Sequence, residues 1–129
     1  MANKIVRDPR LRSSLKGVAA SNPITTHFDN VPEQYKELYN SYKENSHGTP
    51  ILDKQSMAIF YEHAKVDPHD PDVFTILAEQ NHKRFPPVYL VSCQYDPLRD
   101  DATIMELALR KAGVPTRHDV YEGLPHFFW

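Results

Sequence analysis

The fold of this chain is decided by the stretch Val88-Tyr89-Leu90-Val91-Ser92-Cys93, which is rich in β-branched and apolar residues and predicts a buried strand. An amphipathic helix over residues 100–112 follows it, and Gly113 supplies the carboxy-terminal cap. A second strand is predicted over residues 116–121. This strand–helix–strand order predicts a right-handed βαβ crossover between parallel strands.

A third strand is predicted nearer the amino terminus, over residues 15–21, where a short apolar run ends at Asn22-Pro23. Because this run is apolar on both faces, it fits a buried parallel strand. Two helices are predicted between it and Val88, one with Pro32 in its first turn and one starting near Asp53. Their apolar faces consist of Tyr35, Leu38, Tyr39 and Tyr42 in the first and of Met57, Phe60, Tyr61 and Ala64 in the second.

The sequence therefore predicts an α/β fold with about three parallel strands and flanking helices. At 129 residues, with 40% hydrophobic and 25% charged residues, the chain has the size and composition of one globular domain. Its net charge of −2 leaves no basic surplus for nucleic-acid binding. No apolar run is long enough to span a bilayer and no signal-peptide core is present, so we expect a soluble, cytoplasmic protein.

Metal and cofactor sites are not predicted. The single cysteine, Cys93, excludes a disulfide framework and a cysteine-based zinc site, and its place in an apolar strand predicts a buried, inert thiol. A proline-punctuated loop over residues 66–72 is acidic, but it lacks the glycine and the distal glutamate of a calcium loop. Asp72 in this loop is interpreted as a helix cap.

Two polar segments follow the predicted strands, where the active sites of open parallel sheets lie. Asp96 comes three residues after Cys93, and His126 follows the next strand after a short turn. A carboxylate that accepts a hydrogen bond from imidazole Nδ1 fixes the tautomer and the orientation of the ring. Asp followed by His is also the second half of the Ser…Asp…His order of α/β-hydrolases. The alternative is an ordinary loop histidine and an Asp-Pro turn.

Three motifs follow one another in this part of the chain. They are Tyr95-Asp96-Pro97-Leu98-Arg99-Asp100-Asp101, Ala112-Gly113-Val114 and Tyr121-Glu122-Gly123-Leu124-Pro125-His126-Phe127-Phe128-Trp129. In this order and spacing they resemble the carboxy-terminal part of the hormone-sensitive-lipase-like α/β-hydrolases. The resemblance is dense over residues 85–129 and looser back to about Pro9. The His-Phe-Phe-Trp ending looks most like fungal esterases, some of which act in secondary metabolism.

This resemblance implies a serine carboxylic-ester hydrolase that acts on a small-molecule ester without a cofactor. It makes Asp96 the acid and His126 the base of the catalytic triad. Asp100 and Asp101 then belong to the first turn of the following helix, where negative charge is favourable.

The sequence departs from the family pattern in two ways. Phe127 stands where the family has glycine directly after the histidine, which alters the shape of the pocket. In addition, the four glycines are far apart and none of the seven serines lies in a Gly-x-Ser-x-Gly elbow. We therefore expect residues 1–129 to form one incomplete α/β-hydrolase domain that lacks the nucleophile and is inactive by itself. The alternative is a non-catalytic remnant or a binding protein that uses an open sheet edge.

Overall fold

The computed structural model describes residues 1–128, and a parallel sheet lies at the centre of this part of the chain. Its strands are β1 (Val18–Ser21), β2 (Val88–Tyr95) and β3 (Thr116–Pro125), in the order β1-β2-β3. The register aligns Val18 with Val88, and Val88 with Thr116. The predicted α/β class with three parallel strands is confirmed, although β1 begins three residues later than predicted.

Helices of very different length precede and connect these strands. The α-helices within residues 1–128 are α1 (Ala2–Arg7), α2 (Pro9–Arg12), α3 (Ser41–Glu44), α4 (Lys54–His63), α5 (Glu79–His82) and α6 (Arg99–Lys111). Two 3₁₀ helices cover Glu33–Leu38 and Thr75–Leu77. In this described part of the chain, no helix has the length and apolar character that crossing a membrane requires.

The crossover helix α6 forms the main core with the sheet. Its apolar face is buried as predicted, and it packs against Val88 and Leu90 of β2. Gly113 ends the helix with a φ of +79°. The N–H of Gly113 donates to the carbonyl of Arg110, and the N–H of Val114 donates to that of Leu109, each at 3.0 Å. This Schellman arrangement satisfies the last carbonyls of the helix and turns the chain into β3.

The helix predicted after Pro32 is broken into two pieces, the 3₁₀ helix Glu33–Leu38 and the short α3. The break falls at Asn40 because the N–H groups of Asn40 and Ser41 both donate to Oδ2 of Asp100 at 2.7 Å. A tertiary contact with α6 therefore replaces hydrogen bonds that a continuous helix would make. As a result Tyr35 is buried as predicted, whereas Leu38 is exposed.

The helix predicted near Asp53 is confirmed as α4. The Asp53 side chain accepts a hydrogen bond from the N–H of Ser56 at 2.8 Å, and the Ser56 hydroxyl accepts one from the N–H of Asp53, which forms a capping box. Met57 and Tyr61 are buried, but the predictions that Phe60 and Ala64 share this face are wrong, since both are exposed. The buried face of this helix therefore consists of one i, i+4 pair, Met57 and Tyr61.

Candidate active site

Asp96 lies directly after β2, with a fully buried side chain. Its Oδ1 accepts a hydrogen bond from the backbone N–H of Leu98 at 2.8 Å, an arrangement typical of an aspartate that starts a turn. Asn45 donates to the backbone carbonyl of Asp96 at 3.3 Å. The carboxylate is thus held in one orientation, and its second oxygen is directed toward β3.

His126 directly follows β3, and a bulge in that strand determines its position. Cys93 pairs with Tyr121, but Tyr95 pairs with Pro125, so β3 contains two more residues than β2 over this interval. Gly123 lies within the bulge with a φ of +72°. The segment after residue 121 was predicted as a loop, whereas β3 extends to Pro125 because the bulge lets pairing resume beyond Gly123.

The imidazole of His126 and the carboxylate of Asp96 are in direct contact, as their places after adjacent strands predict. His126 Nδ1 lies 2.6 Å from Asp96 Oδ2, and the exposed fractions of the two residues are 9% and 0%. A nitrogen–oxygen distance this short requires a shared proton, which occupies Nδ1 when the carboxylate is ionised. The ring is then oriented with Nε2 as the basic nitrogen, and no hydrogen bond among residues 1–128 occupies that atom.

Asp101 has a role that its sequence position did not indicate. It lies in the first turn of α6, as predicted, but its carboxylate binds other segments of the chain. Oδ1 accepts hydrogen bonds from the N–H groups of Thr25 and Thr26 at 2.8 and 2.7 Å, and Oδ2 accepts one from the Tyr39 hydroxyl at 2.6 Å. Burial nevertheless raises the pKa of Asp101 to about 7, because the side chain has no contact with water.

The Asp100 carboxylate also binds backbone N–H groups, in this case those of the segment that begins α3. Besides binding the N–H groups at the start of α3, its carboxylate accepts a hydrogen bond from Arg99 Nε at 2.9 Å. The consecutive carboxylates of Asp100 and Asp101 therefore fasten two connecting segments to the amino-terminal end of α6. These contacts position the structure around Asp96, and neither carboxylate touches His126 among the contacts of residues 1–128.

A second group of residues has the connectivity of a serine–histidine–acid triad. The Ser92 hydroxyl lies 2.8 Å from His118 Nε2, and His118 Nδ1 lies 3.1 Å from Glu106 Oε2. However, Ser92 is fully buried within β2, where it pairs with Val120, and its hydroxyl cannot reach a substrate. The group is a buried polar network that joins β2, α6 and β3. No local sequence pattern indicates this network, because its members come from three different elements.

Two other side chains contact the His126 ring, and a third, Cys93, contacts one of them. Asn22, directly after β1, places its side-chain amide 3.4 Å from Nδ1. The ring of Phe127 stands edge-on to the imidazole at 4.6 Å between centroids, and its φ of +54° is unusual for a residue other than glycine. Cys93 is buried as predicted, and burial raises the pKa of its thiol. Trp129, the last residue of the motif, lies outside the described residues.

The carboxylates of the acidic loop at residues 66–72 bind other groups of the protein. Asp67 and Asp70 accept hydrogen bonds from backbone N–H groups two residues further on. The prediction that Asp72 caps a helix is wrong, because its carboxylate pairs with Arg7 and Lys4 of α1 instead. Across residues 1–128, no three histidine, cysteine, aspartate or glutamate side chains are grouped to hold a metal ion.

Comparison with known proteins gives consistent matches. A family model described as alpha/beta hydrolase fold matches residues 5–129. The versiconal hemiacetal acetate esterase of Dothistroma septosporum is 60% identical over all of this chain, which covers 39% of that protein. Among solved structures, vibralactone cyclase superposes with a TM-score of 0.90 at 36% identity, over 98% of this chain and 37% of that one.

A further solved structure that the chain resembles is an esterase related to a lipase. Brefeldin A esterase, described as a bacterial homologue of human hormone-sensitive lipase, superposes with a TM-score of 0.79 at 27% identity. The match covers 98% of this chain and 36% of that esterase. The chain thus spans about two fifths of the length of the relatives it matches.

Proposed function

This chain belongs to the α/β-hydrolase family, and we propose that it supplies the acid and the base of a serine ester hydrolase. Asp96 is the acid and His126 is the base. The observation that carries the proposal is the 2.6 Å contact between His126 Nδ1 and the buried carboxylate of Asp96. The nucleophilic serine stands outside these 129 residues, because none of the seven serines present lies in a Gly-x-Ser-x-Gly elbow.

In this reaction His126 takes the proton of the serine hydroxyl at Nε2 as the serine oxygen attacks the ester carbonyl. The ring is then an imidazolium, which the buried carboxylate of Asp96 stabilises through Nδ1–H. His126 gives the proton to the alcohol as the carbon–oxygen bond breaks and the acyl-serine forms. Water, deprotonated by His126 in the same way, then attacks the acyl-serine. As the bond to the serine oxygen breaks and the carboxylic acid leaves, His126 returns the proton to that oxygen.

For the substrate we propose an acetate ester of a fungal secondary metabolite. The support is the 60% identity to a fungal protein named as a versiconal hemiacetal acetate esterase. An acetyl group is the smallest common acyl group, so this proposal also predicts a preference for short acyl chains.

The test is a hybrid enzyme in which residues 5–129 replace the matching part of the Dothistroma septosporum esterase. We expect the hybrid to hydrolyse p-nitrophenyl acetate within about tenfold of the parent kcat/KM, and faster than it hydrolyses the octanoate. His126→Gln in the hybrid removes the base and should abolish the activity. A folded hybrid that hydrolyses no ester would contradict the proposal and favour a binding role.

The chain alone is the matched control. Without a nucleophile or a glycine-rich oxyanion segment, we expect it to cleave p-nitrophenyl acetate no faster than free imidazole at equal concentration. A burst of product together with a covalently labelled serine in the 129-residue chain would place the nucleophile within it and contradict this part of the proposal.

A further inference from the structure

Asn22 makes a contact with the imidazole that the acid–base pair does not account for. β2 lies between β1 and β3, yet the side chain that follows β1 reaches the histidine that follows β3. The backbone N–H of Asn22 donates to the carbonyl of Val91 at 2.8 Å, which extends the β1–β2 pairing by one residue. Its φ of +43° then turns the side chain into a buried position beside His126 and Cys93.

We propose that Asn22 is a positioning residue for His126, and that its amide oxygen is a second acceptor for the Nδ1–H group. This proposal rests on the proposed function, in which His126 is the base. The amide nitrogen lies 3.4 Å from Nδ1 and 3.5 Å from Cys93 Sγ, while the oxygen is buried with no hydrogen-bond partner among residues 1–128. A half-turn of the amide exchanges these two atoms within the same space.

Hydrogen-bond chemistry favours the exchanged orientation. The 2.6 Å contact with Asp96 places a proton on Nδ1, so an amide N–H aimed at the same atom would set two donors against each other. In the exchanged orientation the amide oxygen of Asn22 accepts hydrogen bonds from Nδ1–H and from the Cys93 thiol. The amide nitrogen then faces the side where the oxygen has no described partner. One unpaired group in a buried site costs less than two opposed donors beside an imidazole that must become charged.

The amide oxygen of Asn22 would restrain the His126 ring in addition to Asp96, and it would add negative electrostatic potential beside Nδ1. The groups in contact with the His126 ring in residues 1–128 are the Asp96 carboxylate, the Asn22 amide and the Phe127 ring. Of these, only the carboxylate is charged. An amide oxygen at Nδ1 stabilises the imidazolium and the Nδ1–H tautomer, so it should hold the ring with Nε2 as the unprotonated nitrogen.

The test is NMR spectroscopy of ¹⁵N-labelled histidines, whose ring resonances report the tautomer, in the 129-residue chain and its Asn22 variants. Asn22→Gly removes the amide and accepts the φ of +43° without strain, and Asn22→Leu keeps the bulk of the side chain. We expect both to shift the ¹⁵N resonances of the His126 ring toward those of the Nε2–H tautomer, because Nδ1–H loses an acceptor. His118, bound by Ser92 and Glu106, is an internal control whose ¹⁵N resonances should not move.

Unchanged ¹⁵N resonances of the His126 ring in the folded variants would overturn the proposal, because the amide would then have no influence on the ring. A larger share of the Nδ1–H tautomer in the variants would also overturn it, since this would mean that the amide nitrogen faces Nδ1. Asp96→Asn separates this inference from the proposed function, because it removes the principal acceptor of Nδ1–H and should shift the ring toward the Nε2–H tautomer. If Asp96→Asn has this effect and the Asn22 variants have none, the acid–base pair stands and Asn22 has no positioning role.

Discussion

The backbone N–H of Gly123 donates a hydrogen bond to Oε1 of Gln94 at 2.7 Å, so a side chain of β2 holds the bulge of β3 that precedes His126. The φ of +72° at Gly123 is in the left-handed region. A Cβ added there would meet no atom within 4 Å, so the cost of Gly123→Ala is backbone strain alone. We expect a loss of about 1 kcal/mol in the free energy of unfolding, measured by urea denaturation.

Gly17→Ala is the matched control, because Gly17 has no positive φ and an added Cβ would lie at an ordinary 3.5 Å from the carbonyl of Pro87. Its effect on the free energy of unfolding should stay within about 0.5 kcal/mol. Equal losses in both variants would show that the left-handed backbone at residue 123 is not the cause.

Local patterns predicted the elements that depend on neighbouring residues in the chain. The helix α6, its glycine cap and the strand β2 follow from residue spacing alone, and the order of Asp96 and His126 after adjacent strands predicted their contact. The broken helix after Pro32 was not predictable in this way, because the break depends on Asp100, which is 60 residues away from Asn40. The Ser92–His118 contact likewise depends on the register of β2 against β3, which no local pattern specifies.

The raised pKa of Asp101 predicts a pH-dependent stability. The unfolded chain releases this proton near the ordinary value of 3.8, whereas the folded chain keeps it to about pH 7. The contribution of Asp101 to the free energy of unfolding therefore falls as the pH rises from about 4 to about 7, by at most about 4 kcal/mol, and is constant above that range. Asp101→Asn does not titrate and lacks this change.

Urea denaturation of both proteins at several pH values between 4 and 8 measures this difference. Groups that titrate in the same way in the two proteins make no contribution to the difference in their free energies of unfolding. The wild-type chain should lose stability relative to Asp101→Asn as the pH rises toward 7. The opposite slope would mean that the N–H groups of Thr25 and Thr26 and the Tyr39 hydroxyl outweigh burial and keep the carboxylate ionised.

The Ser92 hydroxyl should contribute to stability and not to catalysis. Ser92→Ala leaves the buried Nε2 of His118 without its partner, so we expect a loss of about 1–3 kcal/mol in the free energy of unfolding. In the hybrid esterase, kcat for p-nitrophenyl acetate should change less than about twofold, because this hydroxyl has no access to substrate. A loss of activity far larger than the loss of folded protein would instead indicate a catalytic role.

Three carboxylates lie within six residues of one another, and their contacts distinguish Asp96 from the other two. Asp100 binds the N–H groups of Asn40 and Ser41, and Asp101 binds those of Thr25 and Thr26. Asp96 directs one oxygen to Leu98 and the other to His126. Of these contacts, the one between Asp96 and His126 is the contact that can control the tautomer of His126.

Asp96→Asn in the hybrid esterase tests this assignment. The substitution keeps the shape of the side chain, but its amide can donate to Nδ1 and so favour the tautomer that protonates Nε2. We expect kcat to fall by about 10⁴-fold, the loss found when the triad aspartate of a serine protease is replaced by asparagine. Asp100→Asn is the control, since its oxygen still accepts from Asn40 and Ser41, and kcat should fall by less than about tenfold. Near-full activity in Asp96→Asn together with its loss in Asp100→Asn would show that Asp96 is not the triad acid.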